Sequence, residues 1–126
     1  HPELFSSACP LSAATGPRSV EELKNYRLWP VGENISPSDQ ESYFKKYSVL
    51  SLIENIADNQ KKAVRWYIDC GDDDFLYEGN SLVHIAMRKK EIPHEFRIRD
   101  GGHSWTYWRT ALPVVLEFVS MSFHQF

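Results

Sequence analysis

Cys70-Gly71-Asp72-Asp73-Asp74-Phe75 and Gly101-Gly102-His103-Ser104-Trp105 are the stretches that decide how this chain folds. Each closes a strand-like run with glycine and sets an ionisable side chain just past the stop. The first run, Ala63 to Cys70, is rich in β-branched, aromatic and apolar residues, as a buried strand is. The second, Glu95 to Arg99, alternates, with Phe96 and Ile98 on one side and polar neighbours on the other. Between them, Glu78 to Lys90 carries Leu82, Ile85, Ala86 and Lys89 on successive turns, which predicts a helix ended by Ile92-Pro93. Strand, helix and strand imply a parallel pair joined by a crossover.

Upstream, Ser6 to Leu11 reads as a further strand, followed by a turn-rich stretch from Pro10 to Ser19. Ser19-x-x-Glu22 is a capping pattern opening a short helix through Asn25, and Leu28 to Pro37 reads as loop. Ser38-x-x-Glu41 repeats the pattern and opens a helix with Tyr43, Phe44 and Tyr47 on one face. Leu50, Ile53, Ile56 and Ala57 continue it at helical spacing. Downstream, Trp105, Trp108, Leu112, Val115, Leu116 and Val119 predict a long amphipathic helix that Pro113 would kink or restart.

The fold class is therefore α/β, a mostly parallel sheet flanked by helices. Three strands would leave a raw sheet edge, which argues for more sheet upstream. His1-Pro2-Glu3-Leu4-Phe5 reads as the tail of a helix and turn, with no initiator Met, and supports the same expectation. The 126 residues suffice for one modest core. Fourteen Lys and Arg against 17 Asp and Glu give a net charge of −3 with no basic stripe, which argues against nucleic acid as a partner. The apolar stretch Ala111 to Met121 is too short to span a bilayer, so no membrane partner is expected. Cys9 and Cys70 lie in strand-like runs and read as buried free thiols, and no metal-type Cys/His spacing occurs.

Functional groups of open parallel sheets collect at the carboxyl ends of strands. Asp74 and His103, 29 residues apart, follow two such ends. The acid would accept the imidazole Nδ1–H, and Nε2 would take a proton from a nucleophile. Taken singly, an aspartate run is ordinarily a solvated turn and a histidine in a glycine-rich loop an ordinary loop residue. Their joint placement is what singles them out. His84, inside a helix, and His94, at a strand start, read as structural. Trp105 and Tyr107 are candidates to line an acyl or aromatic pocket, Trp108 a core residue, and Trp29 a cap residue over the cleft. No nucleophile pattern appears: Gly79-Asn80-Ser81 lacks the second glycine, and Ser12 and Ser104 have no elbow around them.

These residues resemble the esterase D-like family of the α/β-hydrolase fold, which includes feruloyl and acetyl xylan esterases, S-formylglutathione hydrolases and mycolyltransferases. The resemblance rests on H-P-E-L-F-S-S-A, D-C-G-D-D-D-F-L-Y-E-G-N and I-P-H-E-F-R-I-R-D-G-G-H-S-W-T-Y-W-R. It is strong over Lys62 to Phe123 and the first dozen residues. It is weak from Thr15 to Tyr47, and residues 12–47 are expected to form a cap-like variable excursion. It implies a Ser-Asp-His triad in which the acid maps onto Asp74, with Asp73 the competing assignment, and the base onto His103. The family's Gly-x-Ser-x-Gly elbow falls before H-P-E-L-F, so the chain is expected to be the C-terminal portion of one esterase domain, supplying acid and base only.

The resemblance implies a serine carboxylesterase without metal or organic cofactor, acting on acetyl or feruloyl esters of plant polysaccharide, with the isolated chain inactive. It favours a secreted or periplasmic location. The expected partners are the ester substrate and an N-terminal fragment of the same domain, or a second copy of the chain. The alternative function is a catalytically inactive hydrolase-like module binding carbohydrate or protein.

Overall fold

The computed structural model describes residues 1–23 and 36–123. Three parallel strands, β1 (Ser7–Ala8), β2 (Arg65–Gly71) and β3 (His94–Arg99), stand in the order β1-β2-β3. Five helices accompany them: α1 (Val20–Leu23), α2 (Pro37–Tyr47), α3 (Val49–Glu54), α4 (Tyr77–Lys89) and α5 (Trp105–Ser120). Pairing of β2 with β3 runs unbroken from Trp66 opposite His94 to Gly71 opposite Arg99.

The alternation of β2 sorts the molecule into layers. Ile68, with Trp66 and Phe96, packs against Ile53 of α3 and Val83 and Met87 of α4. Tyr67, on the opposite face, packs against Val115 and Phe118 of α5. Helices therefore cover both faces, which is why five of the seven β2 residues are buried. The α/β class expected from the sequence is what the chain adopts.

Local differences from the expected elements have physical causes. The first strand is short because Pro10 has no N–H to donate, yet Leu11 still bridges to Asp69 and the Ser12 N–H donates to the Asp69 carbonyl at 2.8 Å. The helix expected from Ser38 onward is two helices. Ser48 ends α2 and caps α3, its buried hydroxyl donating to the Pro17 carbonyl and accepting from the Ser51 N–H. The cap of α2 is Ser36, bonded to the Asp39 N–H, with Pro37 at the first helical position.

Helix α5 runs through Pro113 without restarting, and it buries Tyr107, Ala111, Val115 and Phe118. Leu112 and Leu116, expected inside, are exposed. Helix α4 likewise buries Asn80, Val83 and Met87, while Ile85 faces outward. In both helices the buried stripe lies about one residue from the expected one, because contact with the sheet, not the apolar count, sets the rotation.

Candidate active site

The carboxyl ends of β2 and β3 are stitched together by their loops. The Asp72 N–H donates to the Arg99 carbonyl at 3.0 Å and the Asp73 N–H to the Gly101 carbonyl at 3.1 Å. The Asp72 carboxylate accepts the Gly101 N–H in return, at 3.1 Å. So close an approach requires glycine: a Cβ on Gly71 would lie 1.9 Å from the Gly101 oxygen. Gly101 itself has φ +131°, a conformation that L side chains rarely adopt.

Past these locked loops, Asp74 and His103 meet. His103 Nδ1 lies 3.0 Å from Asp74 Oδ2. The carboxylate is almost fully buried, at 1 % exposure, whereas the His103 side chain keeps 35 %. Asp74 Oδ1 accepts the Leu76 N–H at 2.9 Å, just ahead of α4. Burial pushes the Asp74 carboxyl up, but hydrogen bonds from the Ser12 hydroxyl, the Leu76 N–H and His103 outweigh it and hold the pKa below 3.8. Asp74 is thus ionised at neutral pH and bonded to Nδ1, which makes Nδ1 the donor and leaves Nε2 with a lone pair for a proton. Asp73, the competing candidate, is exposed, and the carboxylate bonded to His103 belongs to Asp74.

An aromatic collar surrounds the imidazole. Phe75 lies at 4.8 Å, tilted 44°, and Trp108 at 4.8 Å edge to face. Trp105 packs edge to face on Trp108 and is 71 % exposed. Tyr107 is elsewhere. It is 6 % exposed, and its hydroxyl donates to Asp69 Oδ1 at 2.5 Å on the α5 face of the sheet. Asp69 also accepts from Tyr67 and from Arg99, so the Tyr107 hydroxyl belongs to a buried network, while the residue also borders a cavity of about 240 Å³ with Gly101 and Ser104. Trp29 lies outside the described residues.

Ser104 caps α5, accepting the Tyr107 N–H at 3.3 Å, which starts the helix directly after His103. The sequence around Ser12 carries no elbow, yet the structure brings Ser12 to the site. It is 5 % exposed and accepts the Trp108 indole N–H at 3.0 Å, and its hydroxyl helps lower the Asp74 pKa. Its one visible signal was its place just past the first strand-like run. His84 and His94 share a hydrogen bond of 2.8 Å at the far end of β3, consistent with structural roles. The exposed carboxylates of Asp72, Asp73 and Asp100 lie within 4.8 Å of one another, the only described residues whose side chains could together hold a cation.

A family model described as "Putative esterase" matches residues 1–119. The chain belongs to this esterase family. Among solved structures it is similar to a ferulic acid esterase, with 31% identity and a TM-score of 0.69 over 94% of this chain and 42% of that one. It is similar in fold to an S-formylglutathione hydrolase of Staphylococcus aureus, with 23% identity and a TM-score of 0.55 over 91% of this chain and 41% of that one. An acetyl esterase of Caldicellulosiruptor saccharolyticus is 24% identical over 70 residues, which cover 56% of this chain and 26% of the relative. The chain thus spans less than half the length of the relatives it matches.

Proposed function

We propose that this chain forms the acid/base portion of a serine carboxylesterase. The observation that carries the reading is the 3.0 Å contact between His103 Nδ1 and a buried, ionised Asp74 at the ends of adjacent parallel strands. In this reading Asp74 orients the imidazole and stabilises its cation. His103 Nε2 removes the proton of a serine hydroxyl as that oxygen attacks the ester carbonyl. The same proton then passes to the departing alkoxide, leaving an acyl-serine ester that water, activated by His103, hydrolyses. In this reading the serine comes from a segment outside this chain: among the described residues no serine hydroxyl is hydrogen-bonded to Nε2, Ser104 is a helix cap and Ser12 accepts from the Trp108 indole. The isolated chain is then inactive, and its partner is the rest of the domain.

The substrate class we favour is acetyl or feruloyl esters of plant polysaccharide. Similarity to a ferulic acid esterase and an acetyl esterase supports it. So does the exposed aromatic pair Phe75 and Trp105 beside His103, which offers a surface on which an aromatic acyl group or sugar ring can stack.

The test is hydrolysis of methyl ferulate and of a small activated acetate ester by the protein carrying this chain with its upstream segment. His103→Ala is expected to lower kcat at least about a thousandfold on both. Near wild-type turnover in that variant would sink the reading and favour a binding module.

A further inference from the structure

Ser12 occupies a costly position for a residue without an evident task. Its φ is +50°, in the left-handed region that penalises L side chains. Its N–H is tied to the Asp69 carbonyl of β2, so the strained backbone is held firmly against the central strand. Glycine would sit there without strain, so the hydroxyl is what distinguishes serine at this place.

Counting donors and acceptors shows what the hydroxyl does. A hydroxyl offers one proton and two lone pairs. The Trp108 indole N–H can only donate, and it takes one lone pair at 3.0 Å. That bond leaves the hydroxyl proton free, and Asp74, which can only accept, is the carboxylate whose pKa the Ser12 hydroxyl lowers. Trp108 in turn stands edge-on against the His103 ring. Three contacts link four side chains, Asp74 to His103, His103 to Trp108 and Trp108 to Ser12, and the Ser12 hydroxyl in turn lowers the Asp74 pKa.

We propose that Ser12 is a positioning residue for the Asp74–His103 pair, its hydroxyl aiming the carboxylate while its bond to the Trp108 indole fixes the wall against which the imidazole rests. Only the kinetic consequence rests on the esterase reading. The positioning itself is testable on this chain alone.

Ser12→Gly removes the hydroxyl and relieves the left-handed backbone, so loss of fold is not the expected outcome. Carboxyl carbon resonances followed by NMR through acid pH report the Asp74 titration. The midpoint is expected to move to higher pH in Ser12→Gly. It should move less in Trp108→Phe, which keeps an aromatic ring beside His103 but no indole N–H. In the double variant the Trp108 effect should vanish, since the two act through one hydroxyl. An unmoved midpoint in folded Ser12→Gly overturns the proposal. Should that variant not fold, an unmoved midpoint in Trp108→Phe overturns it equally. In the protein carrying its nucleophile, Ser12→Gly should lower kcat about tenfold with KM within about twofold, and move the acidic limb of the kcat profile to higher pH. A uniform loss of folded protein would instead leave the profile of the remainder unchanged, which counts against positioning. If His103→Ala retains hydrolysis while Ser12→Gly moves the Asp74 midpoint, the esterase reading fails and the positioning stands.

Discussion

Three consecutive aspartates, Asp72, Asp73 and Asp74, perform different tasks within one turn. Asp72 latches the two loops through the Gly101 N–H, Asp73 is exposed, and Asp74 is buried against His103. In the protein carrying this chain with its upstream segment, Asp74→Asn should therefore lower kcat at least about a thousandfold, because an amide leaves the imidazole in the wrong tautomer, while Asp73→Asn stays within about threefold. Steady-state kinetics of the two variants check this, and equal losses would contradict the assignment. The depressed Asp74 pKa also bears on stability. Its contribution is fully present above the ordinary aspartate value of 3.8 and is lost as pH falls through the lower folded value. The resemblance pointed to Asp74 over Asp73, but the sequence alone left the pair open, because identical neighbours slide past each other in any alignment. Burial and a 3.0 Å contact separate them.

At the scale of elements, junctions decide more than propensities do. Ser48 serves α2 and α3 at once and also holds Pro17, 31 residues away. Ser48→Ala should cost about 1–2 kcal/mol, read as a lower denaturant midpoint with unchanged slope, because it strips a helix cap and orphans a buried carbonyl. The β3 start is a second junction. His94 Nδ1 donates to the Ile92 carbonyl, so its Nε2 accepts from His84 Nδ1, and the His84 ring stacks on Phe96. Burial first, then the charges of His94 and Arg88, lower the His84 pKa from 6.5. The folded state thus favours neutral His84. Its contribution to stability is complete above about pH 6.5 and is lost as pH falls through the lower folded value. Thermal unfolding between pH 7 and 5 should show falling stability, and His84→Gln should flatten that slope.

Across the whole molecule, two faces of one sheet carry opposite kinds of core. The α4 side is apolar. The α5 side encloses Asp69, whose carboxylate is held by Tyr67, Tyr107 and Arg99. Removing the one cation leaves a buried carboxylate with only neutral donors, so Arg99→Met should destabilise the chain by about 3 kcal/mol or more. Chemical denaturation measures this, and a neutral outcome would place the weight on the two tyrosines. On the α4 side of the sheet, an open groove of about 650 Å³ is lined largely by apolar residues, including Leu52, Trp66 and Val83. Asn80 Oδ1 on the same groove has no partner among the described residues.

The amino-acid sequence by itself determined the α/β class, the existence of β2, α4, β3 and α5, and the candidate acid and base. Those properties are local: apolar runs, glycine stops and a side chain one turn past each stop are written in neighbouring residues. The tertiary structure alone decided which face of α4 and α5 is buried, that one expected helix is two, that Tyr107 serves Asp69, and that Ser12 completes the surroundings of Asp74. Each of these depends on a contact between residues tens of positions apart, such as Trp108 with Ser12 or Tyr107 with Asp69. Periodicity records only that a residue is apolar or polar, and it is the packing of the sheet against its helices that chooses the partner.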